Sequence, residues 1–292
     1  MVTVTSLLNL LTVIISGFGS LVIVALGLGI IFGMMNIINL AHGEFMMVGA
    51  YTTAIAHTQG VPLVVCMLFG GVTAGVLGVI VERVVLQHLY DRQADSMVAT
   101  WGLSLVLTQS ALVIFGPTFS NIPTPFGSIT YGSYSASAYQ LVLGVVAVLM
   151  LVTLYALFYY TEYGLKARAT MQDKETAQSL GVDTRRIYMI TFFIGSVATG
   201  IAGAVFAPII SIVPTLGQAF IIDAFVTVIV GGANILVGVA SGGASLSVIN
   251  GAASQGFGSL VGRVALLVTA VIVIRIYPNG LSDYIEQRVS WL

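Results

Sequence analysis

Charge is what this 292-residue chain has least of: Asp, Glu, Lys and Arg together make up only 7% of it. Soluble domains average about a quarter. With 58% hydrophobic residues and a mean hydropathy of +1.04, the sequence reads as an integral membrane protein whose first partner is the lipid bilayer. The single cysteine, Cys66, excludes a disulfide framework and reads as a small buried hydrophobe. Only two lysines are present, Lys166 and Lys174, and neither follows the glycine pattern of a phosphate loop, so this chain does not hydrolyse ATP by that route. Among the three histidines, His42-Gly43-Glu44 is too short for the zinc motif H-E-x-x-H; no metal or other cofactor is expected. A net charge of −1 argues against nucleic acid. The opening "MVTVTSLLNL" has no Lys or Arg, so a cleaved secretory signal is not expected.

Long apolar runs are what the chain does have. A membrane helix needs roughly 20 such residues, and candidate spans fall at 6–35, 38–57, 61–81, 96–115, 139–160, 188–210, 216–236, 241–261 and 262–278. Their continuity excludes a barrel, whose segments alternate in polarity. The expected fold is an all-α polytopic bundle of about 8–10 membrane segments, one domain over 1–292, with an internal repeat and interrupted helices. The 6–35 run is long enough for one tilted helix or two pieces. Paired glycines one turn apart, Gly29/Gly33, Gly71/Gly75 and Gly238/Gly242, predict close helix packing.

Basic residues mark cytoplasmic loops. Arg83, His88 and Arg92, then Lys166, Arg168, Lys174, Arg185 and Arg186, then Arg288 assign two loops and the C-terminus to that side. The uncharged stretch 116–138 belongs outside, where Tyr131, Tyr134 and Tyr139 read as interface anchors; Trp101 reads as an anchor or a gate. Arg263 dissents, falling in an outer turn on this count.

The run "GIIFGMMNIINLAHGEFMMVGAY" places Asn36, Asn39, His42 and Glu44 in the middle of apolar sequence. Shifting the chain by 174 residues lays 29–55 on 203–229 with identities Gly29/Gly203, Phe32/Phe206, Ile38/Ile212, Gly43/Gly217, Ala50/Ala224, Thr53/Thr227 and Ile55/Ile229. The repeat halves are taken as 6–115 and 139–278. "NLAHGEF" then matches "VPTLGQAF", with Glu44 over Gln218 and Gly49 over Asp223. Paired interruptions in two halves point to a site near the membrane midplane. Ionisable groups at that depth face protein or a hydrated path, so His42, Glu44 and Asp223 are expected to point inward. They either brace the breaks, line a path or act chemically. Asn36, Asn39, Ser211, Thr215, Gln218 and Asn250 suit a path for a neutral solute or simple helix packing.

The segment 161–187, "TEYGLKARATMQDKETAQSLGVDTRRI", holds about half of the charges. Its interior reads as one short helix ending at Gly181 in the left-handed conformation. The pattern Glu175-Thr-Ala177-x-x-x-Gly181 resembles the EAA-type coupling loop of ABC importer permeases, with Thr176 replacing the middle alanine. Together with "NLAHGEFMMVGAY", "TWGLSLVLTQ" and "RIYPNGLSD", it is similar to the high-affinity branched-chain amino acid and urea permease family, and "TWGLSLVLTQ" and "LGQAFIIDAFVTVIVGG" resemble the urea branch more. The resemblance implies a non-enzymatic transport subunit of a bacterial inner-membrane importer. It would pair with a homologous permease as a heterodimer, with two ATP-binding subunits below and a periplasmic substrate-binding protein above. Arg168, Glu175, Ala177 and Gly181 would form the ATPase contact, and Asn39, His42, Glu44, Gln218 and Asp223 the translocation path. The expected solute is urea or a short amide, with branched-chain amino acids as the alternative. An ion-coupled secondary transporter, or a membrane enzyme or scaffold, are the other classes.

Overall fold

The computed structural model describes residues 4–90, 92–132, 134–232 and 234–284. In chain order the helices are α1 (Val4–Met35), α2 (His42–Thr58), α3 (Leu63–Val84), α4 (Gln93–Phe115), α5 (Ala138–Tyr160), α6 (Glu162–Gln172), α7 (Lys174–Ser179), α8 (Thr184–Phe206), α9 (Gln218–Gly231), α10 (Ile235–Phe257) and α11 (Ser259–Ile276). A short 3-10 turn, Leu86–His88, follows α3, and an antiparallel hairpin of β1 (Ser128–Tyr131) and β2 (Tyr134–Ser137) precedes α5. Helices dominate because a segment crossing hydrocarbon must satisfy its own backbone N–H and C=O groups. Among the described residues seven helices are long and apolar enough to cross a membrane. The protein is a polytopic all-α membrane protein.

Several boundaries differ from the sequence expectation. The 6–35 run is one helix of 32 residues, about 48 Å long. The span expected at 216–236 is a helix of only 14 residues, because α9 starts after a break and ends at Gly231, before Gly232 at φ +94°. The expected boundary between 241–261 and 262–278 lies earlier, at Gly258, whose φ of +92° ends α10. The 161–187 connector forms two helices rather than one. Asp173, extended at φ −156° and ψ 105°, ends α6 and caps α7 by accepting the Thr176 N–H at 2.9 Å. Tyr139 is buried at 2% exposure, not an interface anchor. The Tyr131 side chain and Arg288 lie outside the described residues.

Two compact units make up the chain, and their boundaries fall within α1, α5 and α9 and in the segment between α4 and β1. One comprises Leu26–Pro123 and Thr153–Ile222. Its centre is α2, α3 and α8, which approach through glycine. A Cβ on Gly49 would lie 2.7 Å from Gly200 backbone, one on Gly70 2.6 Å from the Gly49 carbonyl oxygen, and one on Gly200 2.8 Å from that of Gly70. Three helices thus meet at one glycine each. Gly71 and Gly75 admit Ile201 and Val197 of α8 equally closely, as their spacing predicts. Cys66 is buried and its thiol donates to the Val61 carbonyl at 3.3 Å.

The other unit comprises 1–25, 124–152 and 223–292. Its apolar core is Leu21, Val230, Leu246, Leu266 and Ala270, with Val226, Val273 and Leu281 packed around them. Gly19 lets α1 lie against the backbone of Leu143 and Gly144 in α5, and Gly238 and Gly242 bring α10 against Gly231 and Thr227 in α9. Asp223 pairs with Arg263 at 3.7 Å. The basic residue that dissented from the loop count is held by an acid of its own unit.

Candidate functional site

Both expected interruptions are present. Helix α1 stops at Met35, and Asn36 turns the chain with φ +52°, a left-handed conformation that asparagine tolerates better than most residues. Residues 36–41 are non-helical and α2 begins at His42. In the second copy α8 stops at Phe206, Pro208 follows, and the chain is irregular until α9 begins at Gln218. Adding 174 to the ends of the first break falls within a few residues of the ends of the second. The equivalent glycines touch: a Cβ on Gly43 would stand 2.5 Å from the Gly217 carbonyl carbon, and one on Gly217 would overlap the Gly43 carbonyl.

A break buried in apolar surroundings leaves backbone groups to be satisfied, and α4 supplies the partners. Thr100 Oγ1 accepts the Leu40 N–H at 3.0 Å, and its own proton faces the carbonyls of Ser96 (2.7 Å), Met97 and Ile38. Gln93 Nε2 donates to the Asn36 carbonyl at 3.1 Å. Asn39 turns back on itself, its Oδ1 accepting the Ala41 N–H at 3.0 Å. In the second break the Ile212 carbonyl accepts the Phe119 N–H at 3.0 Å.

The ionisable groups follow. Glu44 sits in the first turn of α2, where the helix dipole favours a negative charge, and is 2% exposed. Its Oε1 accepts hydroxyl protons from Ser104 (2.7 Å) and Thr108 (3.3 Å) of α4. Oε2 is buried without a hydrogen-bond partner, as is Asn39 Nδ2. His42 is fully buried, with Nδ1 3.4 Å from Thr199 Oγ1 on α8. Asn39, His42 and Glu44 are all buried at the first break, but His42 turns to α8 and Glu44 to α4, whereas Gln218 is exposed and Asp223 belongs to the other unit. A carboxylate at membrane depth raises the insertion free energy by roughly 2.5–3.5 kcal/mol, which the two hydroxyls and the helix terminus offset in part.

The hydroxyl partners escaped the sequence reading. Their signal was present: Ser96, Thr100, Ser104 and Thr108 recur every fourth residue and are all buried, a hydroxyl stripe along α4. No group of three or more His, Cys, Asp or Glu side chains that could hold a metal occurs among the described residues.

The connector is the second locus. Gly181 has φ +86° as expected; its N–H donates to the Gln178 carbonyl (2.9 Å) and that of Val182 to the Ala177 carbonyl (3.0 Å), closing α7. Glu175 and Gly181 are exposed and Ala177 is buried. Arg168 is half-buried, its guanidinium 4.6 Å from the Tyr159 ring centroid. Leu165 (63%) and Leu180 (79%) stand exposed on the same connector.

The family described as branched-chain amino acid transport system / permease component matches residues 8–276. The chain belongs to this family. It is similar to the probable branched-chain amino acid transport permease protein LivH of Methanocaldococcus jannaschii, 28% identical over 90% of this chain and 88% of the relative. The high-affinity branched-chain amino acid transport system permease protein LivH of Escherichia coli is 25% identical over 89% of this chain and 90% of its own length. The permease protein LivM of Escherichia coli is 29% identical over 72% of this chain and 55% of its own length. No solved structure matches the chain. These relatives are named for branched-chain amino acids, so they favour the alternative solute over the urea expectation.

Proposed function

We propose that this permease passes branched-chain amino acids across the bacterial inner membrane as a subunit of an ATP-driven importer, with Asn39, His42 and Glu44 on the solute path and Gln218 and Asp223 at its second-copy counterpart. The observation that carries the reading is the paired break: two interruptions of the same register, in contact at Gly43 and Gly217, beside a buried carboxylate with one unshared oxygen. A zwitterion needs opposite partial charges along its route, and the Glu44 carboxylate with the start of α2 presents both signs within one turn.

The engine is a separate pair of ATP-binding subunits that engage residues 166–181 of the connector on the cytoplasmic side, where the C-terminus also lies. Exposed Leu165 and Leu180 beside Glu175 support a docking face there. A homologous second permease completes the path, consistent with similarity to relatives named both LivH and LivM, and a periplasmic binding protein delivers the solute. Nucleotide-driven closure pushes on α7, and residues 36–41 and 207–217 absorb the displacement.

The test is uptake of labelled leucine and labelled urea by a strain lacking the gene. Loss of leucine uptake, restored by the wild-type gene, is expected. Loss of urea uptake alone returns the solute to urea, and unchanged uptake of both ends the transport reading.

A further inference from the structure

We propose that the groove between the ends of α3 and α8 binds the headgroup of an anionic phospholipid. The groove is a cavity of about 380 Å³ with three guanidiniums on its wall: Arg83 at the end of α3, and Arg185 and Arg186 in the first turn of α8. Two acids line it as well. Asp183 is occupied by Arg186 at 2.9 Å. Glu82 is 1% exposed and accepts the Tyr90 hydroxyl, so it faces protein. Arg83 and Arg185 remain, and both have uncharged partners: Arg83 Nε points at the Met189 sulfur at 3.3 Å, a weak acceptor, and Arg185 reaches the side-chain oxygen of Gln87. Each guanidinium keeps further N–H donors in a planar fork, the geometry that suits a phosphate diester. A neighbouring cavity of about 390 Å³ shares Arg185 and Gln87 and adds His88 and Lys174, extending the basic surface.

What selects a lipid over a free anion or an acidic protein segment is the surface that leads to the groove. Val72, Val76, Ile80 and Val84 recur every fourth residue toward the end of α3 and are 52% to 68% exposed. This ridge runs about 18 Å at 1.5 Å per residue, enough to cross one leaflet of a hydrocarbon layer about 30 Å thick. Its last member is adjacent in sequence to Arg83. An acyl chain lying on the ridge brings its phosphate to the level of Arg83 and Arg185, where basic pockets between membrane helices hold anionic headgroups. The proposal does not depend on which solute is transported.

Native mass spectrometry of the detergent-purified full chain, given dioleoyl-phosphatidylglycerol or dioleoyl-phosphatidylcholine at equal concentration, tests it. Wild type is expected to retain about tenfold more phosphatidylglycerol. The double variant R83Q/R185Q should lose that preference and each single variant should lose part of it, while R275Q, which removes an exposed charge from α11, keeps it. Excess inorganic phosphate should not displace the lipid. Equal retention of the two lipids by wild type overturns the proposal. So does full preference in both single variants, which also decides the matter if the double variant does not fold. Displacement by free phosphate makes the groove a simple anion site and ends the assignment. If R83Q/R185Q keeps the preference but no longer binds the ATP-binding subunit, the groove is a protein contact and the proposal falls.

Discussion

Gly43 and Gly217, which the 174-residue shift superimposes, lie backbone against backbone, each leaving no room for a β-carbon on the other. Under the proposed repeat, a residue that touches its own equivalent lies where the two copies meet, and the two breaks join at that point. Gly43→Ala and Gly217→Ala should each destabilise the protein by about 1–3 kcal/mol through overpacking and abolish uptake. Gly102→Ala is the contrast: its position on α4 is open, and alanine there should be neutral or stabilising by up to about 1 kcal/mol. Thermal unfolding in detergent reads both, and equal Tm losses at Gly43 and Gly102 would contradict the contact.

Glu44→Gln keeps the size of the side chain and removes its charge. Uptake should fall at least about tenfold while Tm changes by only a few degrees, whereas Glu286→Gln, outside the described residues, should leave uptake intact. Ser104→Ala and Thr108→Ala remove donors to the same oxygen, so their effects should be non-additive with Glu44→Gln by about 0.5–3 kcal/mol in a double-mutant cycle. Additive effects would separate the hydroxyls from the carboxylate.

Gly181 occupies left-handed backbone at φ +86° with nothing within 4 Å of a would-be β-carbon. Strain, not crowding, is therefore the penalty for substitution, about 1–2 kcal/mol for most residues and less for asparagine. In the assembled importer Gly181→Val should lower transport per ATP hydrolysed, Gly181→Asn should recover part of it, and Glu175→Ala with Arg168→Ala should uncouple similarly. Unchanged stoichiometry in all three variants would remove the connector from the coupling role.

The Thr176 backbone N–H holds the Asp173 carboxyl below its ordinary value of 3.8. Because the folded value is the lower one, the cap's contribution is complete above the ordinary pKa and is lost as pH falls through the folded value. Hydrogen exchange at the Thr176 amide should accelerate, relative to its intrinsic rate, only below that point. Asp173→Asn should cap at every pH, and Asp173→Ala at none.

Asp223 and Arg263 form an ion pair that is 26% and 57% exposed at the side chains. Asp223→Ala should lower Tm by leaving Arg263 without its partner, and Asp223→Leu with Arg263→Leu should recover most of the loss. If the double variant is stable yet transports nothing, Asp223 acts on the solute path as well as on the fold.

The membrane class, both breaks, the glycine contacts at Gly71, Gly75, Gly238 and Gly242, and the left-handed Gly181 were legible because each depends on local rules: continuous hydropathy, a missing β-carbon, a turn-forming residue. The division of the connector at Asp173 was legible in principle, since aspartate is a strong helix cap, but a mixed polar and apolar face concealed it. What could not be read locally came from long-range partners. Glu44 finds Ser104 and Thr108 some 60 positions away, Arg263 is explained only by Asp223, and the burial of Tyr139 depends on what its own unit packs around it.

Where α2, α3 and α8 come together at Gly49, Gly70 and Gly200, backbone lies on backbone with only the short side chains of Thr53, Ala74 and Ala204 against it, so almost nothing there can change rotamer to accommodate sliding. That junction works as a keystone, and the trio turns as a single piece or stays still. Whatever rearrangement accompanies each cycle of the importer has to spare it, and falls on the short irregular stretches at its rim.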